Sequence, residues 1–331
     1  MKNLLTLLLI VFFFQANAQF FSGQYYQFVF YPYSSQVTWY EENTKLKEQK
    51  ITEVIETAKD KKSGKFFKVK EYKLNNSGRI IEYNQFSKKG KKIKLNIHCD
   101  FQNNLMNEMR AQKANGDTIY ITRYTYKNNK EIRRDYFNKN KLDVPNWRLE
   151  NQYNDSGKLI MSQSIRKGKL NYRYEYEFYP NGSKKETRYY NSKNKLKYRY
   201  TYECDPKGEL ENNKVKNRNY CVKKDIKNDG SYMEISEYKN EKGKVTKYIR
   251  YYTSDSLLTQ TENYNFKGEM NYKTVYQYNS DRQVIKHENS NKKGLLYSNN
   301  FDYNSQGLFT KGSRIDKKGK QTYEWKFEYK N

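Results

Sequence analysis

The sequence predicts an all-β protein: an extended antiparallel β-meander or β-solenoid-like sheet. Three observations predict it. Gly, Asn and Asp residues of turn type recur at a nearly constant step of about 13 residues. The segments between them alternate with period two, the signature of a strand with two different faces. The alternating positions are filled by aromatic residues, with 35 Tyr and 17 Phe in a chain of 331 residues that is only 35% hydrophobic. Leu, Ile, Val and Phe alone are too sparse for a large conventional core. Tyrosine makes up the difference, because its ring buries area while its hydroxyl stays satisfied.

The N-terminus comes first. Met1 to Ala18 carries one cation, an apolar run from Leu4 to Phe14 and small residues at Ala16 and Ala18 before Gln19. That is the layout of a cleaved secretory signal. The apolar run is about 11 residues long where roughly 20 would span a bilayer, and no later stretch is apolar enough to cross one. The expectation is an exported protein, periplasmic or extracellular, with no transmembrane segment after cleavage. Residues 19–49 read as an N-terminal cap, with room for one helix over Gln36 to Lys47, and residues 50–331 as the hairpin domain.

Within 50–331 each step holds a strand of eight or nine residues and a tight turn, so two steps form a hairpin of about 26 residues. Gly78, Gly157, Gly182, Gly208, Gly243 and Gly307 are the expected turn glycines. Tyr172, Tyr174 and Tyr176 share one face with Phe178, while Arg173, Glu175 and Glu177 share the other. Tyr198, Tyr200 and Tyr202 repeat that face, and Tyr323, Trp325, Phe327 and Tyr329 form a strong last strand. An exported chain permits disulfides. With only Cys99, Cys204 and Cys221 present, Cys204 and Cys221 are the expected pair because they flank one irregular stretch.

Four segments resemble the Tyr-Asp (YD) repeats of the Rhs type. Tyr153-Asn154-Asp155-Ser156-Gly157-Lys158-Leu159 matches closely, and Tyr303-Asn304-Ser305-Gln306-Gly307-Leu308-Phe309 matches with Phe at its end. Tyr238 to Val245 is one residue longer, and Tyr278 to Val284 carries Arg282 where Gly is expected. The spacing is also similar to MORN-variant repeats. The resemblance implies a spiralling β-sheet used as a binding surface. The toxin-delivery role of the Rhs class is not implied, since Asp205-Pro206-Lys207-Gly208 is followed by Glu209 rather than the class's Leu.

The chemistry-bearing residues are few. Only His98 and His287 are available for histidine catalysis, and neither lies in a nucleophile motif. His98 and Cys99 are adjacent on a strand and so point to opposite faces, which spoils a shared metal position. No phosphate-cradling glycine loop occurs, so no metal or cofactor is expected. The remaining signal is charge: 64 Lys+Arg against 37 Asp+Glu, a formal +27. Such a surface attracts polyanions. The expected function is a non-enzymatic, exported sheet that binds an anionic glycan or other envelope polymer, or a protein partner, through Tyr172, Tyr174, Tyr176, Tyr198, Arg199, Tyr200 and Tyr202. Nucleic acid ranks below glycan because of export. The alternatives are a polysaccharide hydrolase or lyase using acids or tyrosines, and an immunity or assembly factor binding one protein by strand addition.

Overall fold

The computed structural model describes residues 44–87, 90–139, 142–202 and 216–331. The signal segment, most of the expected cap, and Cys204 and Gly208 lie outside the described residues. A short helix, α1 (Thr44–Glu48), leads into twenty-one strands. In chain order these are β1 (Glu53–Lys59), β2 (Phe66–Leu74), β3 (Ile80–Phe86), β4 (Ile93–Gln102), β5 (Leu105–Gln112), β6 (Thr118–Lys127) and β7 (Lys130–Asn138). Next come β8 (Trp147–Tyr153), β9 (Leu159–Arg166), β10 (Lys169–Phe178), β11 (Lys184–Asn191), β12 (Leu196–Thr201), β13 (Lys216–Ile226) and β14 (Tyr232–Lys239). The last are β15 (Val245–Tyr252), β16 (Leu258–Tyr264), β17 (Met270–Tyr278), β18 (Val284–Asn291), β19 (Gly294–Tyr303), β20 (Phe309–Asp316) and β21 (Gln321–Lys330).

Each strand pairs with the next, and the first pairs with the last, Val54 opposite Tyr329 and Ala58 opposite Trp325. The sheet therefore closes into a barrel, and the solenoid expectation is overturned. The reason is physical: period-two alternation and tight turns look the same in a sheet that spirals and in one that closes. A ring of strictly alternating strands must contain an even number, so an odd ring needs a pair running the same way. That pair is β12 and β13, parallel over only Tyr198–Thr201 against Lys216–Asn219. It is also where the sheet departs from an antiparallel meander, since a parallel neighbour needs a crossover rather than a hairpin.

The aromatic face of the strands is the inner one. Trp325, Tyr72, Met106, Val54, Asn299 and Ser164 are the largest fully buried strand side chains, and all alternate onto it. The apolar core is concentrated at the closing seam, on β1–β6 and β18–β21. Leu46 of α1 and Ile51 join it, and Lys45 donates to the Gly307 carbonyl at 3.3 Å. At the tightest point β20 carries Gly312 opposite Trp325, because a Cβ there would lie 2.2 Å from the indole. Outward, charges alternate in sign: Lys59 to Glu324 at 3.0 Å, Lys73 to Glu82 at 3.0 Å and Arg123 to Glu108 at 3.0 Å.

The Tyr-Asn-x-x-Gly segments have a direct structural explanation. Asn154, Asn279 and Asn304 each accept, at 2.8 Å, from the backbone N–H four residues on, an Asx-type turn. Gly157 holds φ 76°, a left-handed value that side chains resist; Arg282 takes the same region at φ 62°. The preceding tyrosine latches one hairpin to the last: Tyr153 donates to the Glu131 carbonyl at 3.0 Å, Tyr278 to Leu258 at 2.6 Å and Tyr303 to Val284 at 2.9 Å. Tyr329 does the same to Phe309 at 2.6 Å. The motif is thus turn chemistry plus a latch that any stack of hairpins can use, so it does not mark a YD or MORN repeat. Tyr303→Phe keeps the ring and deletes the latch, and should lower stability by about 1 kcal/mol in a denaturant titration.

Candidate functional site: an inner tyrosine wall

The wall is built where β10, β11 and β12 run side by side. Their register places Tyr174, Tyr189 and Tyr198 in one row, with ring centroids 5.0 and 5.5 Å apart. Tyr172 sits edge-on to Tyr174 at 5.6 Å, Tyr176 stacks on Tyr174 at 6.3 Å, and Tyr200 lies 6.3 Å from Tyr198. Tyr202, just past β12, reaches Thr187 at 3.1 Å and faces Tyr220 at 5.9 Å. The structure thus brings together six of the seven residues expected on the binding face and adds Tyr189. Arg199 alternates outward and pairs with Glu186 at 3.5 Å, within a charge lattice that includes Arg188–Glu177 at 2.9 Å.

Two cations belong to the wall. The Arg218 guanidinium lies 4.2 Å from the Tyr198 ring and donates to the Tyr200 hydroxyl at 2.9 Å. Lys184 lies 5.0 Å from the Tyr176 ring and 5.4 Å from Tyr202, and burial pulls its ammonium pKa down. Neither was singled out from sequence, although both lie in Tyr-rich strands.

Burial raises the phenol pKa of Tyr172, Tyr174, Tyr176, Tyr189, Tyr200 and Tyr202, and pushes Tyr238 to about 12. These hydroxyls are therefore neutral at ordinary pH. In that state they both donate and accept hydrogen bonds. The wall residues are half-buried, unlike the seam.

A second inner cluster was not legible in the sequence. His287 is buried beside Asn299, which donates to its Nε2, and Arg314 Nε donates to the Asn299 carbonyl oxygen at 3.0 Å. Desolvation, and then the Arg314 charge, lower the imidazole pKa to about 4.

The other predicted residues are placed as follows. Gly78, Gly182, Gly243 and Gly307 have positive φ in their turns. Cys221 is disulfide-bonded, while Cys204 lies outside the described residues. Cys99 is free, and burial raises its thiol pKa to about 12. Among the described residues no group of three or more His, Cys, Asp or Glu is arranged to hold a metal ion.

No protein-family model and no curated protein matches the chain. The resemblance to YD and MORN-variant repeats thus finds no support beyond the turn segments, and the closed ring contradicts the spiralling sheet it implied. Solved structures similar to it include a porin-like protein from Bacteroides uniformis ATCC 8492. It is 8% identical with TM-score 0.31, covering 85% of this chain and 98% of that one. A porin-like protein from Bacteroides vulgatus ATCC 8482 is 12% identical with TM-score 0.25 over the same shares. A DUF1329 family protein from Desulfovibrio piger ATCC 29098 is 9% identical with TM-score 0.15, over 84% and 82%. Likeness at this level does not extend to function, and the barrel rests on the strand pairings themselves.

Proposed function

We propose that this chain is an exported, non-enzymatic envelope protein whose inner tyrosine wall binds an anionic glycan. The observation that carries the reading is the Tyr174–Tyr189–Tyr198 row with Arg218 at its end. Flat rings in a row suit the apolar faces of successive sugar rings, phenol O–H groups suit their hydroxyls, and a guanidinium suits a carboxylate or sulfate.

Two rival arrangements lose support. A barrel that spans a membrane turns an apolar band outward, whereas β10–β12 turn out Arg173, Glu175, Glu177, Glu186, Arg188 and Arg199. A partner that adds a strand needs a free sheet edge, and among the described residues the closed ring leaves one only along Tyr220–Ile226 of β13, which pairs with β14 but has no partner on β12.

Calorimetric titration with uronate-bearing and neutral oligosaccharides tests the proposal. Acidic oligosaccharides should bind, and Tyr198→Ala should weaken them at least tenfold, about 1.4 kcal/mol. Equal binding by Tyr198→Ala and the parent chain, or no binding by any oligosaccharide, would remove the wall as the site. Shortened or unsaturated products after incubation would instead favour the hydrolase or lyase reading.

A further inference from the structure

The two ends of the barrel differ in charge, and the difference appears only once each turn is assigned to an end. Ten connections gather at one end: 60–65, 87–92, 113–117, 139–146, 167–168, 192–195, 240–244, 265–269, 292–293 and 317–320. Their described residues hold eighteen lysines, every one exposed, against five acids. The nine hairpin turns described at the opposite end hold four basic residues and four acids, and the α1 segment at that end adds Lys45, Lys47 and Lys50 against Glu48. The same end that carries the lysines also carries exposed apolar side chains. In its turns and strand ends Phe266 is 50% exposed and Val144 62%, and Leu142, Val245, Leu295 and Leu296 are exposed as well, while the opposite end exposes Ile226 at 63%.

We infer that the lysine-rich end is a docking surface for an anionic lipid bilayer, on which the barrel stands end-on. The charges are spread around a rim rather than along a groove, which matches a plane of headgroups better than a single polymer strand. Lysines near such a surface each add favourable electrostatic energy, and apolar side chains between them can enter the headgroup boundary. Phe266 lies in the 265–269 turn and Val144 in the 139–146 loop, both outside the strands and thus able to enter without opening the sheet. The outward charge lattice holds the strands in water while the rim makes contact. This inference does not depend on the glycan reading, since it concerns turns rather than the inner wall.

Vesicle co-sedimentation of the purified chain tests it. Vesicles of phosphatidylcholine with phosphatidylglycerol should retain the protein at low salt, and vesicles of phosphatidylcholine alone should not. Retention should fall at least tenfold in Lys317→Glu/Lys318→Glu. It should change little in Lys47→Glu/Lys227→Glu, which makes the same charge change at the opposite end. Phe266→Ser/Val144→Ser, with charge untouched, should also weaken retention severalfold. Circular dichroism of each variant separates lost folding from lost docking. Equal losses from the two lysine pairs would mean general charge attraction and overturn the inference. So would a soluble polyanion such as polyphosphate stripping the protein from vesicles while Phe266→Ser/Val144→Ser has no effect, or no retention on phosphatidylglycerol at all.

Discussion

Replacing Trp325 by alanine should lower the unfolding free energy by about 3–5 kcal/mol, read from the midpoint of a denaturant titration. Trp325 is fully buried at the seam where β21 meets β1. Its indole lies 5.4 Å from Tyr323 and 6.4 Å from both Phe301 and Phe309. Removing it leaves a cavity lined by rings on three strands that the ring closure holds in place. Gly312→Val approaches the same point from the other side. The new Cβ would meet the indole carbons at 2.2–2.3 Å, and that indole is fully buried. Such overpacking costs about 1–3 kcal/mol or more. Combining Gly312→Val with Trp325→Ala should cost less than the sum of the two single changes, because the valine then fills part of the space the indole left. Additive costs would mean that the two residues do not share one packing site.

The second large effect is a loss of stability in mild acid. In the native protein His287 is neutral with a pKa near 4, against 6.5 when unfolded. Asn299 fixes the neutral form, since Arg314 holds its carbonyl oxygen and leaves the amide to donate to Nε2. The unfolded chain therefore binds this proton first, and stability must rise with pH across the window. The contribution is fully present above about pH 6.5 and fades as pH falls toward 4, a total of about 3 kcal/mol. Carboxylates held low by lysine and arginine partners, such as Glu108 and Glu324, add their own loss below their ordinary value of 4.5. Between pH 6.5 and 5 the slope should belong to His287. His287→Gln should flatten it, and an unchanged slope in that variant would sink the assignment.

The strand faces were legible in the sequence because alternation reports them directly. Tyr172, Tyr174 and Tyr176 share a face in the structure as they do in the pattern, and Gly78, Gly157, Gly182, Gly243 and Gly307 fall between strands. Closure was not legible. Nothing in Glu53–Lys59 or Gln321–Lys330 distinguishes two strands that will pair with each other from two that will cap an array. The parallel pair was hidden for a similar reason, since direction depends on what the crossing segment does and not on the strands it joins. The His287–Asn299–Arg314 cluster draws one residue from each of three strands, and no spacing rule links them. The charge difference between the ends is present in the sequence as an alternation of lysine-rich and lysine-poor turns. It acquires meaning only when hairpin parity assigns each turn to an end.

The seam between the first and last strands also sets the order of events as the protein forms. Lys330 reaches Glu53 across 277 positions of chain, at 3.1 Å. Nearly all other pairings are local hairpins that can zip early, while this one must wait until the whole sheet has grown around to meet itself. Contacts so distant in sequence slow folding, because the entropy of closing the loop is lost before the contact forms. Until then β1 and β21 each present an unpaired edge, and an unpaired edge can recruit a strand from another molecule. The last step of folding is thus also the step that protects the chain from its own copies. Ring closure should therefore compete directly with aggregation as concentration rises.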